Sequence, residues 1–221
     1  MPRPISAEID LEALRHNLGV MRSKAAGRAL WAVVKANAYG HGLDNAVTAF
    51  ADADGLATID LCDAEMVRRC GWHKRILLLE GFFDAADIEP LQTLKVETVV
   101  HSPWQIAILR AAKPKDVRVH VKVNSGMNRL GFRPSEAPAA AAQLAAIRVM
   151  DYVTHFANAE QSAVHAPVTV DDQLAAMGGL AREQACLANT GAILFHPEVQ
   201  GQAVRAGVAL YGVSPDEAVT S

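Results

Sequence analysis

Ala29-Leu30-Trp31-Ala32-Val33-Val34-Lys35 is an unbroken apolar run closed by a lysine. A strand with one wet face alternates apolar and polar residues, so a run without alternation suits a strand buried on both faces, as in parallel sheets. Similar runs follow at residues 55–59, 76–79, 98–100, 117–123, 149–156, 185–188 and 204–210, giving eight predicted strands. Helical segments are predicted between most of them, at residues 63–70, 84–94, 103–112, 135–146 and 171–180. Ser102, Pro103 and Gln105 read as a cap, an N1 proline and a capping-box partner for the third of these. Ahead of the first strand, Asp10 reads as the N-cap of a helix carrying Leu11, Leu14, Leu18 and Met21, with Ile9 placed to staple against Leu14. Strands alternating with helices imply right-handed βαβ units, and eight of them favour an α/β (β/α)8 TIM barrel over an open sheet. No composition break marks a linker, so residues 1–221 read as one domain. The last connections are short, and strands five and six carry polar residues expected to face inward near the barrel mouth.

The chain has 221 residues, 51% of them hydrophobic, which excludes disorder and suffices for one core. Its net charge of −3 provides no global field for a phosphate backbone, so no nucleic-acid partner is expected. Cys62, Cys70 and Cys186 form neither an even set nor a CxxC pair, which favours a reducing compartment and thiols acting as small core residues. The first ten residues reach acidic groups before any long apolar stretch, and no run is long enough to span a bilayer. The expectation is a cytoplasmic protein with no membrane partner.

Barrel enzymes carry their chemistry at the C-terminal ends of the strands. Lys35 closes strand one, Arg129 follows strand five and His155 closes strand six. Asn189-Thr190-Gly191 follows strand seven, and Arg205-Ala206-Gly207-Val208 belongs to strand eight. A lysine among core residues would lose hydration, which lowers its pKa and frees a neutral amine to attack a carbonyl. The loops after strands seven and eight are the usual barrel phosphate site, and Thr190, Gly191 and Gly207 offer a hydroxyl and close approach there. An aldehyde-reactive lysine facing a phosphate cradle points to pyridoxal 5′-phosphate, with no metal.

The most specific stretch is Val33-Val34-Lys35-Ala36-Asn37-Ala38-Tyr39-Gly40-His41-Gly42. Its glycines permit tight turning beyond the strand, and Tyr39 stays near the same mouth if a helix begins at Lys35. The decapeptide resembles the cofactor-lysine motif of the alanine racemases, pyridoxal-phosphate isomerases built on a barrel. Further matches run in order along nearly the whole chain. They are Ile9-Asp10-Leu11 with Leu14 and Asn17, then Lys122-Val123-Asn124-Ser125-Gly126-Met127-Asn128-Arg129-Leu130-Gly131, then His155-Phe156-Ala157. Asn189-Thr190, Val204-Arg205-Ala206-Gly207 and Leu210-Tyr211-Gly212 complete the set. Thr190-Gly191 stands where the family often has Ser-Ala, and Ala206 where proline is common; both departures keep the hydroxyl and the backbone N–H groups.

The resemblance implies the interconversion of L- and D-alanine, supplying D-alanine for peptidoglycan or for alanine catabolism. It makes Lys35 the residue that bonds the cofactor aldehyde and the base on the D-alanine side. Tyr39, Thr190 and the N–H groups of Gly207 and Val208 would bind the phosphate, with Asn189 and His155 beside the cofactor. Arg205 would face the pyridine nitrogen, and because a guanidinium keeps its proton, the ring would be a weakened electron sink. Arg129 would hold the cofactor phenolate and the substrate carboxylate, and Lys122 matches a position carbamylated in some members. Racemisation needs acid/base groups on both faces of Cα. In the family the second is a tyrosine from a C-terminal β domain of the partner subunit in a homodimer. Tyr39, Tyr152 and Tyr211 do not match that tyrosine's motif, and the sequence ends at Ser221. The expectation is therefore a truncated chain in which residues 1–10 form an entry strand for an absent β domain. The alternatives are a non-catalytic pyridoxal-phosphate-binding barrel of the cofactor-homeostasis type and an inactive fragment.

Overall fold

The structure is a computed structural model that describes residues 5–161, 165–180, 184–199 and 201–215. Its strands are β1 (Ala29–Val33), β2 (Gly55–Thr58), β3 (Arg75–Leu78), β4 (Glu97–Val100), β5 (Arg118–Lys122), β6 (Arg148–Val153) and β7 (Ala203–Ala206). They are all parallel and lie in the order β6-β5-β4-β3-β2-β1-β7. The two end strands meet through residues 185–188, where Cys186 bridges Val153 on one side and Ala203 on the other. Cys186 N–H donates to Tyr152 O at 2.9 Å and Arg205 N–H to Ala188 O at 2.8 Å. The ring therefore closes at an eighth position, as the barrel expectation requires.

That eighth position corrects the predicted strand 185–188, which makes single bridges and no continuous ladder. The physical reason is the Arg205 guanidinium, which takes the carbonyl of Leu187 (3.1 Å) that a regular strand would spend on a neighbour and shares that of Cys186 (2.7 Å), left with only a long bond from Thr154 N–H (3.4 Å). Two other predicted strands are too long. Strand 149–156 stops at Val153, so His155 follows the strand, and 204–210 divides into β7 and a 3-10 helix (Val208–Tyr211).

Helix α1 (Leu11–Ala25) begins where expected, with Asp10 accepting from Glu12 N–H at 2.8 Å and Ala13 N–H at 3.1 Å. After β1, α2 (Lys35–Tyr39) is an unusual turn described below, and α3 (Leu43–Ala49) follows it. Then come α4 (Leu61–Arg69), α5 (Ile88–Thr93), α6 (Pro103–Ala112), α7 (Ala137–Ala142), α8 (Val170–Met177) and the short α9 (Thr190–Phe195). Pro103 opens α6, but Ser102 makes no side-chain cap. The buried Gln105 accepts from His101 N–H at 2.8 Å and donates to Phe82 O at 3.0 Å, tying α6 to the loop after β3 in place of a capping box. Residues 5–10 contain no strand, and residues 1–4 of the expected entry strand lie outside the described residues. Of the cysteines only Cys186 is fully buried; Cys62, near the start of α4, is exposed, contrary to the core expectation.

Most of the core lies between the barrel and its helices, and a smaller cluster fills the barrel itself. Trp31 dominates the inner cluster, with Val33, Ala57, Leu77, Val99 and Val153 above and around it. Its register partner is Gly55 because a Cβ there would sit 2.3 Å from an indole carbon. Below Trp31 lies a buried charged layer. His120 Nε2 meets Glu97 at 2.8 Å, its Nδ1 meets Asp151, and Arg75 grips Glu97 with Nε at 2.6 Å and Nη2 at 2.7 Å. Thus the polar residues of β5 and β6 are split, with His120 and Asp151 in this lower layer and only Lys122 near the mouth. Among the described residues no helix is long and apolar enough to cross a membrane, and no His/Cys/Asp/Glu group could hold a metal ion.

Candidate active site

A cavity of about 240 Å³ opens at the C-terminal ends of the strands. Ten of the residues singled out in the sequence line it: Lys35, Tyr39, Lys122, Arg129, His155, Asn189, Thr190, Arg205, Gly207 and Val208; Gly191, expected in the phosphate loop, does not. They come from α2, the end of β5 and the loop after it, the residues after β6, the start of α9, and β7 with the residues that follow it, so the barrel's closure is what assembles them.

Lys35 and Tyr39 are positioned by a turn of the wrong hand. Ala36, Asn37, Ala38 and Tyr39 all have φ between 52° and 55°, so α2 is a left-handed helical turn and not the ordinary helix start expected. Each such residue costs roughly 1–2 kcal/mol, so neighbours must fix it. Gly40 N–H bonds back to Ala36 O at 3.0 Å, Asn37 Oδ1 accepts from Leu43 N–H at 3.0 Å, and the Tyr39 ring packs on Tyr211 with centroids 4.7 Å apart. Tyr211 is itself anchored, since its hydroxyl donates to Val33 O at 2.8 Å. The turn keeps Lys35 Nζ 5.9 Å from the Tyr39 ring centroid.

The Tyr39 hydroxyl faces Gly207. A Cβ on Gly207 would lie 3.0 Å from that oxygen and 3.6 Å from Thr190 Oγ1, so any side chain there would fill the space between the two hydroxyls. Gly207 N–H donates to Thr190 Oγ1 at 2.8 Å, which leaves the Thr190 proton to donate elsewhere. Gly191 serves packing: a Cβ there would press on Ala159 and Glu160 at 3.1 Å. Asn189 caps α9 through Ala192 N–H and donates to Phe156 O at 3.0 Å, with His155 Nε2 3.4 Å away.

Arg205 is 4% exposed and clamped from below. Its Nη1 donates to Cys186 O and Sγ, and its Nη2 to Thr154 O and Leu187 O. Those four bonds use every Nη proton and leave Nε–H. Because the acceptors are neutral, the guanidinium keeps its full charge inside the cavity wall. Burial first, then the cations Arg205 and Arg129, push Lys122 down to about 8. Burial and the same two arginines push His155 down to about 3, so its imidazole is neutral at pH 7. The lysine that the fold desolvates most is therefore Lys122, 7% exposed, whereas Lys35 is half-buried at the mouth. Arg129 is exposed on a loop organised by Asn124, whose Oδ1 accepts from Gly126 N–H (3.2 Å) and Asn128 N–H (3.0 Å).

Glu80 and Glu160 also line the cavity and escaped the sequence reading. Glu80 directly follows the apolar run 76–79 and so carried the same strand-end signal as Lys35; Glu160 lies in an irregular stretch that carried none. Tyr211 was visible only as part of a motif, without its role as a support for Tyr39.

The family described as alanine racemase, N-terminal domain, matches residues 9–215. The chain is 46% identical over 222 residues to an alanine racemase of Janthinobacterium sp. (strain Marseille), covering 97% of this chain and 62% of that protein. It is 45% identical over 220 residues to a catabolic alanine racemase of Klebsiella aerogenes, covering 97% and 61%. The structure superposes on the biosynthetic alanine racemase of Pseudomonas aeruginosa with a TM-score of 0.88 at 36% identity, covering 96% of this chain and 61% of that one. On the Acinetobacter baumannii enzyme the TM-score is 0.84 at 31% identity, covering 96% and 64%. The chain thus spans about three-fifths of the length of the curated relatives it matches. A barrel whose mouth gathers the family's motif residues, matched by the family over residues 9–215, belongs to the alanine racemase N-terminal domain family.

Proposed function

We propose that this barrel binds pyridoxal 5′-phosphate and, within the complete enzyme, interconverts L- and D-alanine. The observation that carries the proposal is the convergence of a lysine amine, a hydroxyl-lined cradle and a buried guanidinium in one cavity. The residues fit the cofactor: an aldehyde needs an amine, which Lys35 offers, and a phosphate needs donors, which the Tyr39 and Thr190 hydroxyls and the backbone N–H of Val208 offer, Gly207 N–H being spent on Thr190 Oγ1 and leaving room by its missing side chain. Pyridoxal phosphate supplies an aldehyde that captures the amino group and a ring that acidifies Cα–H. Arg205, whose Nη protons are spent on Cys186, Thr154 and Leu187, would offer Nε–H to the ring nitrogen and, keeping its own proton, would leave that nitrogen unprotonated, which would limit side reactions. Arg129, exposed at the mouth, binds the substrate carboxylate through its fork of donors. His155 and Asn189 hold the ring's surroundings by hydrogen bonding. Lys35 Nζ takes or returns the proton at Cα from its own face.

The opposite face needs a second acid/base group. Among the described tyrosines, Tyr39 belongs to the cradle, Tyr211 gives its proton to Val33 O, and Tyr152 lies outside the cavity lining. By resemblance to the family the second group is a tyrosine of a C-terminal β domain, and in the complete enzyme we place it across a homodimer in the cytoplasm, with residues 1–10 pairing with that domain. Lys122, with its depressed pKa of about 8, presents enough neutral amine near pH 8 to take up CO2, and the resulting carbamate would hold Arg129. The test is exchange in D2O with D-alanine and added cofactor. The reading expects Cα–H exchange that disappears in Lys35→Ala, with inversion only when a second acid/base group is supplied. Exchange that persists in Lys35→Ala would overturn it.

A further inference from the structure

We propose that the N-terminal end of the barrel, opposite the active-site mouth, binds a small polyanion of the oligophosphate class. A cavity of about 870 Å³ opens there. Its floor is made by the first residues of four adjacent strands, Arg75, Glu97, Arg118 and Arg148. Seven Lys and Arg side chains line it against two carboxylates, Glu97 and Asp116.

Arg118 and Arg148 are direct register partners on β5 and β6. Neighbouring strands lie about 4.8 Å apart, and like charges directly opposite one another destabilise a sheet. The protein's own acids do not relieve this pair. Glu97 reaches Arg118 at 3.3 Å but is already gripped by both arms of Arg75 and by His120. No described ion pair involves Arg148. At the rim, Arg68 donates to the carbonyls of Leu94, Trp72 and Lys74, and Lys74 to those of Ala51 and Ala53. Bonds to neutral carbonyls hold these cations in place without cancelling their charge. A concave wall of fixed, uncompensated positive charge concentrates anions.

The number of cations selects the ligand. A single phosphate group would neutralise only a fraction of the excess, whereas a chain of linked phosphates bridges the arginine floor and the lysine rim. This end of a barrel ordinarily carries stability, not chemistry, so the site is for binding alone. The inference is independent of the racemase reading, because none of its residues lines the upper cavity.

The test is calorimetric titration of the chain with sodium tripolyphosphate at constant ionic strength, with inorganic phosphate and sulfate as comparators. The expected result is a saturable site, filled at least tenfold more tightly by tripolyphosphate than by either comparator, and retained in Thr190→Ala, which alters any binding in the upper cradle. Arg148→Glu should weaken the binding at least tenfold while raising the urea midpoint of the unliganded chain, since the substitution turns a like-charged strand pair into an opposite-charged one. A midpoint that rises together with the loss of binding excludes misfolding as the cause. Heats that never saturate, tripolyphosphate binding unchanged in Arg148→Glu, or binding lost in Thr190→Ala would each overturn the proposal.

Discussion

Two charged clusters share the interior of this barrel, and they behave in opposite ways. In the lower layer Arg75, Glu97, His120 and Asp151 alternate in sign, and each side chain touches a partner. Burial there would drive the imidazole to its neutral form, yet the bonds to Asp151 and Glu97 outweigh it and lift His120 to about 9. Burial likewise opposes the Glu97 carboxylate, and the bonds from Arg75 and His120 hold it at about 2. In the upper cavity Lys122, Arg129 and Arg205 crowd together with Lys35, and the same kinds of group move the other way, His155 to about 3 and Lys122 to about 8. The difference teaches which cluster folding completes. The lower one is neutralised by the chain's own carboxylates, and the upper one is short of negative charge, which is what the proposed binding of a phosphate and a carboxylate requires.

The comparison can be broken first at Glu97. Glu97→Gln leaves Arg75 and His120 facing one another in a buried layer, and we expect a loss of about 3–5 kcal/mol in urea unfolding. A loss under about 1 kcal/mol would show that the lower layer is not held by its charges. The pH dependence comes next. The folded pKa of His120 lies above its unfolded value, so its stabilisation is complete below about pH 6.5 and is lost as pH rises toward about 9, a change of about 3 kcal/mol. Glu97 acts in the opposite window, its contribution disappearing as pH falls from about 4.5 to about 2. Followed from pH 6 to 9.5, the urea midpoint of the parent chain should decline relative to that of His120→Asn, in which the discharge of buried Lys122 above about pH 8 raises it. The upper cluster predicts a gain from removing charge: Lys122→Met should stabilise the unliganded chain by about 1–3 kcal/mol at pH 7, since that ammonium is buried beside arginines. The smallest effect is expected in the cradle, where Tyr39→Phe should weaken cofactor binding about tenfold, the equivalent of one hydrogen bond to a charged group, without shifting the unfolding midpoint.

Much of this was legible in the chain. Unbroken apolar runs such as 29–34 announced strands buried on both faces, and the rule that barrel chemistry sits after those strands picks out Lys35, Arg129, His155 and Arg205. What escaped depends on contacts distant in sequence. The left-handed turn at 36–39 contains two alanines and no glycine, so its residues favour an ordinary helix, and the bonds from Gly40, His41, Gly42 and Leu43 together with the Tyr211 ring hold it otherwise. The segment 185–188 looked like any other strand because the guanidinium that claims its carbonyls arrives from residue 205. The lower layer was equally hidden, since Glu97, His120 and Asp151 sit on three strands and nothing in their spacing pairs them. The Ser102–Gln105 capping box failed for a related reason: Gln105 Oε1 accepts from His101 N–H in place of Ser102 N–H, while its amide N–H is turned to Phe82 O in the loop after β3.

The central claim is that the amine of Lys35, and not the more deeply buried amine of Lys122, meets the cofactor aldehyde. Borohydride reduction of the chain incubated with stoichiometric pyridoxal phosphate, followed by peptide mass mapping, tests it directly. The account predicts one modified site, at Lys35, and no modification in Lys35→Ala; a label on Lys122, or one scattered over surface lysines with Lys35 unmodified, would contradict it.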